Sequence, residues 1–192
     1  MHKTTTLRCF TVLFTGLSGA GKTTVSNLVA ARLYKAGIRT YSLDGDVLRS
    51  GLSADLGYTT KDRTENLRRA AELAKLMQES GNLVLASFIA PTVKSRTQFK
   101  EIVDAKNFME VYIDTPIEIC EQRDIKGLYK KARKGEILNF TGISQDYEPP
   151  TNPDLILSHL LPLETAVAKV CLSIQEKIFL PKADQYNFKA TH

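Results

Sequence analysis

The stretch FTGLSGAGKTT, Phe14 to Thr24, constrains this chain more than any other part of it, because it sets glycines where a strand must hand over to a helix. The run before it, CFTVLF, has strand length. The segment after it, VSNLVAARLYKAG, repeats its apolar residues at helical period until Gly37. Gly16, Gly21, Lys22 and Thr23 fit GxxxxGK(S/T), with the strand and helix flanks that motif requires. Glycines let the backbone fold around an anion so that successive N–H groups point inward, and the helix N-terminus adds its positive end. Gly16, Leu17, Ser18, Gly19, Ala20, Gly21, Lys22, Thr23 and Thr24 therefore read as a phosphate-binding loop for a nucleotide. In it Lys22 reaches the β- and γ-phosphates. Thr23 offers its hydroxyl to Mg²⁺, a hard cation that takes few protein oxygens and relies on the substrate phosphates for the rest. The competing reading is a glycine-rich turn that meets the pattern by accident.

Apolar runs of strand length continue to alternate with helical segments. RTYSLD, NLVLAS, FMEVYID and DLILS read as strands, and TKDRTENLRRAAELAKLMQESG as a long helix with Thr60 at its N-cap and Gly81 just past its end. At TPIE, Thr115 is expected to cap a helix, with Pro116 at its first position and Glu118 completing a capping box. The last helix is expected over Leu163 to Ile178. From Asp124 to Pro153 the periodicity fails and Lys, Arg, Gly and Pro dominate. A stretch of that length without elements inside a domain points to a functional lid. The alternation predicts an α/β fold, a parallel sheet with helices on both faces and a lid over residues 124–153.

A length of 192 residues with 43% hydrophobic and 24% charged content suits one domain, 1–192. No run approaches the roughly 20 apolar residues of a membrane span, and the amino end lacks a signal-peptide pattern, so a cytoplasmic protein is expected. Cys9, Cys120 and Cys171 have no disulfide or zinc spacing. A net charge of +5 without a basic block gives no reason to expect nucleic acid, but permits a phosphate-rich ligand.

A second chemical site is expected at LDGDVLRSGL. Asp44 and Asp46 lie at the predicted carboxyl end of the second strand, beside the phosphate loop, and Arg49 offers a fork for an anion. Two carboxylates there can hold a metal-bound water or accept a hydroxyl proton. Taken by itself the same stretch also reads as a DG turn with a solvated Arg. DRTENLRR and RDIKGLYKKARKGEILNFTGI are rich in Arg and Lys, and read either as a clamp on a phosphorylated substrate or as solvated faces.

Taken in order, FTGLSGAGKTT, LDGD, DRTENLRR, ASFIAP, CEQRDIKGLYKKARKGEILNFTGI and DYEPPTNPDL resemble the adenylylsulfate kinase family, from about Phe10 to the final helix. The phosphate loop is shared by many NTPases, whereas the RDIKGLYKKARKGEI to FTGI block is similar to this family and few others. The resemblance implies transfer of the γ-phosphoryl group of ATP to the 3′-hydroxyl of adenosine 5′-phosphosulfate (APS), with Mg²⁺. The products are 3′-phosphoadenosine 5′-phosphosulfate (PAPS) and ADP, in sulfate assimilation. It also implies a homodimer with no nucleic-acid or membrane partner.

Position by position, the resemblance gives Lys22, Asp46 and Asp44 to catalysis, with Thr23 and Asp46 near the metal. Arg49, Arg63 and Asn66 match residues that hold the phosphosulfate end of APS, and Lys126 a lid lysine. Ile89, Ala90 and Asn139 fall in substrate-contacting segments. Tyr58 and Phe140 match aromatics that sandwich the adenine, or else serve as core and lid packing. Arg forks and flanking rings suit those roles, since a guanidinium binds sulfate oxygens bidentately and a ring pair loses little side-chain entropy.

Two positions depart from the family pattern. Val47 stands where the family commonly carries Asn, and Ala90 where some members carry a phosphorylated serine. Two rival functions therefore stay in view: a kinase of another hydroxyl acceptor, supported by Val47, and a kinase-like module that binds nucleotide without turnover.

Overall fold

The computed structural model describes residues 8–178. Its five strands, β1 (Thr11–Thr15), β2 (Thr40–Asp44), β3 (Leu83–Ser87), β4 (Phe108–Asp114) and β5 (Leu155–Ser158), pair in parallel in the order β2-β3-β1-β4-β5. Parallel strands need crossover helices, and those helices cover both faces. That is why β1 and β3, inside the sheet, are buried at every position. Residues alternate between two apolar clusters. Val12, Phe14, Leu83 and Leu85 join α1 (Lys22–Lys35) and α7 (Leu163–Ile178), while Leu13, Val84 and Ala86 join α3 (Thr60–Glu79) and α4 (Val93–Ile102). No helix among the described residues is long and apolar enough to cross a membrane. The two ends of the expected domain 1–192 lie outside the described residues.

Five local expectations shift. The long helix is capped by Thr59 rather than Thr60: its hydroxyl accepts from Asp62 N at 3.2 Å while the Asp62 carboxylate accepts from Thr59 N, a complete capping box. The box expected at TPIE does not form. Thr115 Oγ1 donates to Ala20 O at 3.1 Å, and Pro116 occupies the cap of α5 (Ile117–Arg123) without a side-chain bond. Tertiary contact with the phosphate loop takes the hydroxyl that local sequence assigned to the helix. The LDGD stretch opens a short helix, α2 (Gly45–Arg49), instead of a plain turn, because the Asp44 carboxylate accepts from Asp46 N and caps it. The segment expected as a lid, 124–153, is not structureless, since α6 (Leu128–Arg133) lies within it. Asp124 organises that helix by accepting from Tyr129 N and Lys130 N, both at 3.0 Å. Finally, β3 lies between β2 and β1, so the aspartates reach the phosphate loop across a strand rather than from its neighbour.

Candidate active site

The phosphate loop connects β1 to α1 and depends on glycines for a reason the sequence pattern alone does not show. Gly16 has φ +147°, and a Cβ there would stand 2.7 Å from Ile113 O, so the loop begins where β4 leaves no room for a side chain. Two groups from α5 and α6 hold the loop from behind: Tyr129 OH donates to Ser18 O at 2.9 Å, and Arg123 Nη1 reaches Gly19 O at 3.4 Å. Sequence reasoning does not single out either residue, because neither belongs to the motif it supports.

Lys22 folds back over this loop and donates to Gly16 O at 3.0 Å and Leu17 O at 2.7 Å. Burial pushes its ammonium pKa down to about 8, against the opposing pull of Asp44 and Asp46 and with Lys126 adding to the depression. A desolvated cation held by carbonyl dipoles gains most when a phosphate arrives. Beside it, Thr23 Oγ1 donates to Asp44 Oδ2 at 2.8 Å, and Asp44 Oδ1 accepts from Asp46 N at 2.9 Å. The structure thus brings Asp44, more closely than Asp46, onto the hydroxyl that the motif assigns to the metal.

Asp46 makes an ion pair with Lys126 from the lid, which raises the Lys126 pKa. Both side chains are largely exposed, so the pair is a weak one, worth about 0–1 kcal/mol. Among the described residues no group of three or more His, Cys, Asp or Glu can enclose a metal ion. The oxygens of Thr23, Asp44 and Asp46 are few and hard. That donor set fits Mg²⁺, which keeps waters and phosphate oxygens in its shell, and does not fit a soft metal needing a protein cage.

Arg49, Tyr58, Arg63 and Asn139 come together near Asp46. The Arg49 guanidinium lies 4.6 Å and that of Arg63 5.4 Å from the centre of the Tyr58 ring. Arg49 Nη1 donates to Gly57 O at 2.6 Å, and Arg63 Nη2 donates to Asn139 O at 2.9 Å, tying α3 to the lid. Burial, then the neighbouring Arg49 charge, lowers the Arg63 pKa. Asn66, one turn along α3, is buried with Oδ1 lacking a hydrogen-bond partner among the described residues.

The two rings expected to flank an adenine differ sharply. Tyr58 is 53% exposed, while Phe140 is 5% exposed and packs edge-on against Tyr129 with centroids 4.9 Å apart. No ring contact joins them among the described residues. Ile89 and Ala90 follow β3. Ile89 O accepts from Thr15 Oγ1 at 2.6 Å, and Ala90 is buried at φ +47° with its carbonyl held by Arg96 Nη1 at 2.7 Å. Arg96 is buried, 3.1 Å from Glu110. Its sequence carries no signal for this, because a lone Arg in an amphipathic helix reads as solvated.

The chain that carries these residues has known relatives. The APS kinase CysC of Mycobacterium tuberculosis, solved in complex with AMPPNP and APS, superposes with a TM-score of 0.84 at 47% identity, over 88% of this chain and 98% of that one. The adenylyl-sulfate kinase of Halothermothrix orenii is 50% identical over 171 residues, 88% of this chain and 91% of the relative. That of Acaryochloris marina is 53% identical over 144 residues, 75% and 70% of the two chains. The profile of the family described as adenylylsulphate kinase matches residues 8–158. With its site built on that span, the chain belongs to the adenylylsulphate kinase family.

Proposed function

We propose that the site transfers the γ-phosphoryl group of ATP to the 3′-hydroxyl of APS, with the residues above in the following roles. The observation that carries this is the convergence of Lys22 and Thr23 with Asp44 and Asp46, next to the Arg49–Tyr58–Arg63 cluster. Lys22 leaves its two loop carbonyls for the β- and γ-phosphates, where its charge meets the negative charge that spreads over the transferring group. Mg²⁺, held through Thr23 with Asp44 and Asp46 nearby, would supply further neutralisation between the β- and γ-phosphates. Arg49, Arg63 and the Asn66 side chain, through its amide N–H groups, take the phosphosulfate end of APS, and Tyr58 and Phe140 its adenine.

Asp46 orients the 3′-hydroxyl and accepts its proton as the oxygen attacks the γ-phosphorus in line and the bond to the β-phosphate oxygen breaks, releasing ADP. Lys126, freed from Asp46, follows the substrate as the lid over residues 124–153 closes and excludes water. Transfer is direct, because the Ala90 methyl offers no oxygen to carry the phosphoryl group.

The chain, 1–192, is read as one catalytic domain, in a cytoplasmic homodimer without nucleic-acid or membrane partners. The family resemblance supports that reading. A sensing module without turnover is disfavoured, since Lys22, Thr23 and both aspartates are all present in the sequence.

The test is PAPS formation from ATP and APS, run beside a panel of sugar, nucleoside and sulfonucleotide acceptors. Preference for another acceptor would move the assignment to that substrate, with Val47, 67% exposed next to Asp46, as the first residue to revert. Phosphate from γ-labelled ATP that settles on Ser87 or Thr92 and is then discharged by APS would overturn direct transfer.

A further inference from the structure

Ser87 ends β3, is 5% exposed, and its Oγ has no hydrogen-bond partner among the described residues. A buried hydroxyl left without a partner costs about as much as a lost hydrogen bond, so it calls for one. Three observations say where that partner would be. Ser87 pairs in parallel register with Phe14 of β1 on one side and Asp44 of β2 on the other. Alternation along β3 puts Leu83 and Leu85 in the cluster beneath α1, and Ser87 falls on that same face. Asp44 shares the face, and its carboxylate receives the hydroxyl of Thr23 from the first turn of α1 at 2.8 Å. The Ser87 hydroxyl therefore projects beside Asp44 toward the first turn of α1, between the strand that leads into the phosphate loop and the one that ends in the aspartates.

We propose that Ser87 is a positioning residue of the phosphoryl-transfer site. Its hydroxyl would bond a water of the hydrated Mg²⁺ that enters with the nucleotide, completing with Thr23 and Asp44 a row of three oxygens at the carboxyl ends of the strands. This rests on the kinase reading above. A small, strongly hydrated cation retains several waters, and each such water is a polarised donor or acceptor that a buried hydroxyl can hold. Asp44 is engaged by Thr23 and by the backbone of Asp46, whereas the Ser87 hydroxyl beside it makes no hydrogen bond among the described residues.

The test is calorimetric titration of ADP with and without Mg²⁺, on the natural protein and on Ser87→Ala and Ser87→Cys, the second keeping the volume while replacing the hydroxyl. Both variants are expected to lose about tenfold of the Mg²⁺-dependent gain in ADP affinity, the order of one hydrogen bond to a charged group, with metal-free ADP binding changed less than about twofold. Ser87→Thr, which keeps the oxygen, should recover most of that gain. An unchanged Mg²⁺ effect in both variants would overturn the proposal. So would an equal loss with and without the metal, which would mark Ser87 as packing. If the natural protein binds ADP with no Mg²⁺ dependence at all, the metal assignment of the kinase reading fails, and this proposal with it.

Discussion

The phosphate loop and the lid hold their shapes by different means. From Gly16 to Thr23 the backbone turns on left-handed glycines at Gly19 and Gly21 and a helix that begins at Lys22, and Thr115, Arg123 and Tyr129 brace its carbonyls from outside. The lid carries one short helix of its own and is held at separated points by distant partners. Lys126 pairs with Asp46, Asn139 O accepts from Arg63, Gln145 Nε2 reaches Thr60 Oγ1 at 3.3 Å, and the Glu148 carboxylate accepts from Val93 N at 2.7 Å. A phosphate is the same in every nucleotide, so a rigid cradle serves it. An acceptor must enter, be enclosed and leave, and the stretches pinned by such bonds, away from the buried Phe140, can release and close at small cost.

The widest gap between the two regions should appear on removing Lys22. Lys22→Ala is expected to lower PAPS formation by at least 10²–10³-fold while the protein stays folded, because no second cation among the described residues touches the loop carbonyls that Lys22 occupies. Near-normal turnover by a folded Lys22→Ala protein would remove the loop from the chemistry.

Next comes Phe140, where the lid is anchored as firmly as a core. Phe140→Ala should lower stability by about 3–5 kcal/mol in urea unfolding, in keeping with a buried ring packed on Tyr129. A loss below about 1 kcal/mol would mean that the lid stands open in solution.

Tyr58 then isolates the acceptor side, since its ring is half exposed and little packing is lost with it. Tyr58→Ala should weaken APS by about 1–3 kcal/mol and leave ADP unchanged in equilibrium titrations. Equal weakening of both ligands would end the separation of a nucleotide side from an acceptor side.

The smallest effect is a fraction of a proton. The free Lys22 ammonium releases its proton near pH 8, and a bound phosphate raises that pKa, so the complex holds more protons than the free protein above pH 8. ADP binding near pH 8.5 should therefore take up a fraction of a proton, seen as a dependence of the calorimetric heat on buffer ionisation enthalpy, and less at pH 7.5. Proton release instead would show that Lys22 does not face the phosphate.

The parts of the molecule that rest on local rules are legible in the residues themselves. The final helix runs over Leu163–Ile178 as its periodicity predicts, and the phosphate loop follows a strand and opens a helix as its motif requires. Both are local: period and glycine placement act over a turn or two of chain. The capping box expected at TPIE fails because a rule of the same range carries nothing about Ala20 O, 95 residues away, which takes the Thr115 hydroxyl. α6 escapes the same reading because it is only six residues long, too short for the buried Tyr129 and Ala132 to make a period, and its start is held by the Asp124 carboxylate.

Residue type at short spacing is thus enough to encode the succession of parallel strands and helices, the anion cradle and the family. Which groups meet is settled only when the chain is folded. Folding puts Asp44 against Thr23 across an intervening strand, sets Lys126 on Asp46, and buries Phe140 while leaving Tyr58 open. It also brings Ser87 into register with Asp44 without a partner for its hydroxyl among the described residues. Strand order and register place residues far apart in the chain side by side, and period and motif spacing carry no information on distances of that kind.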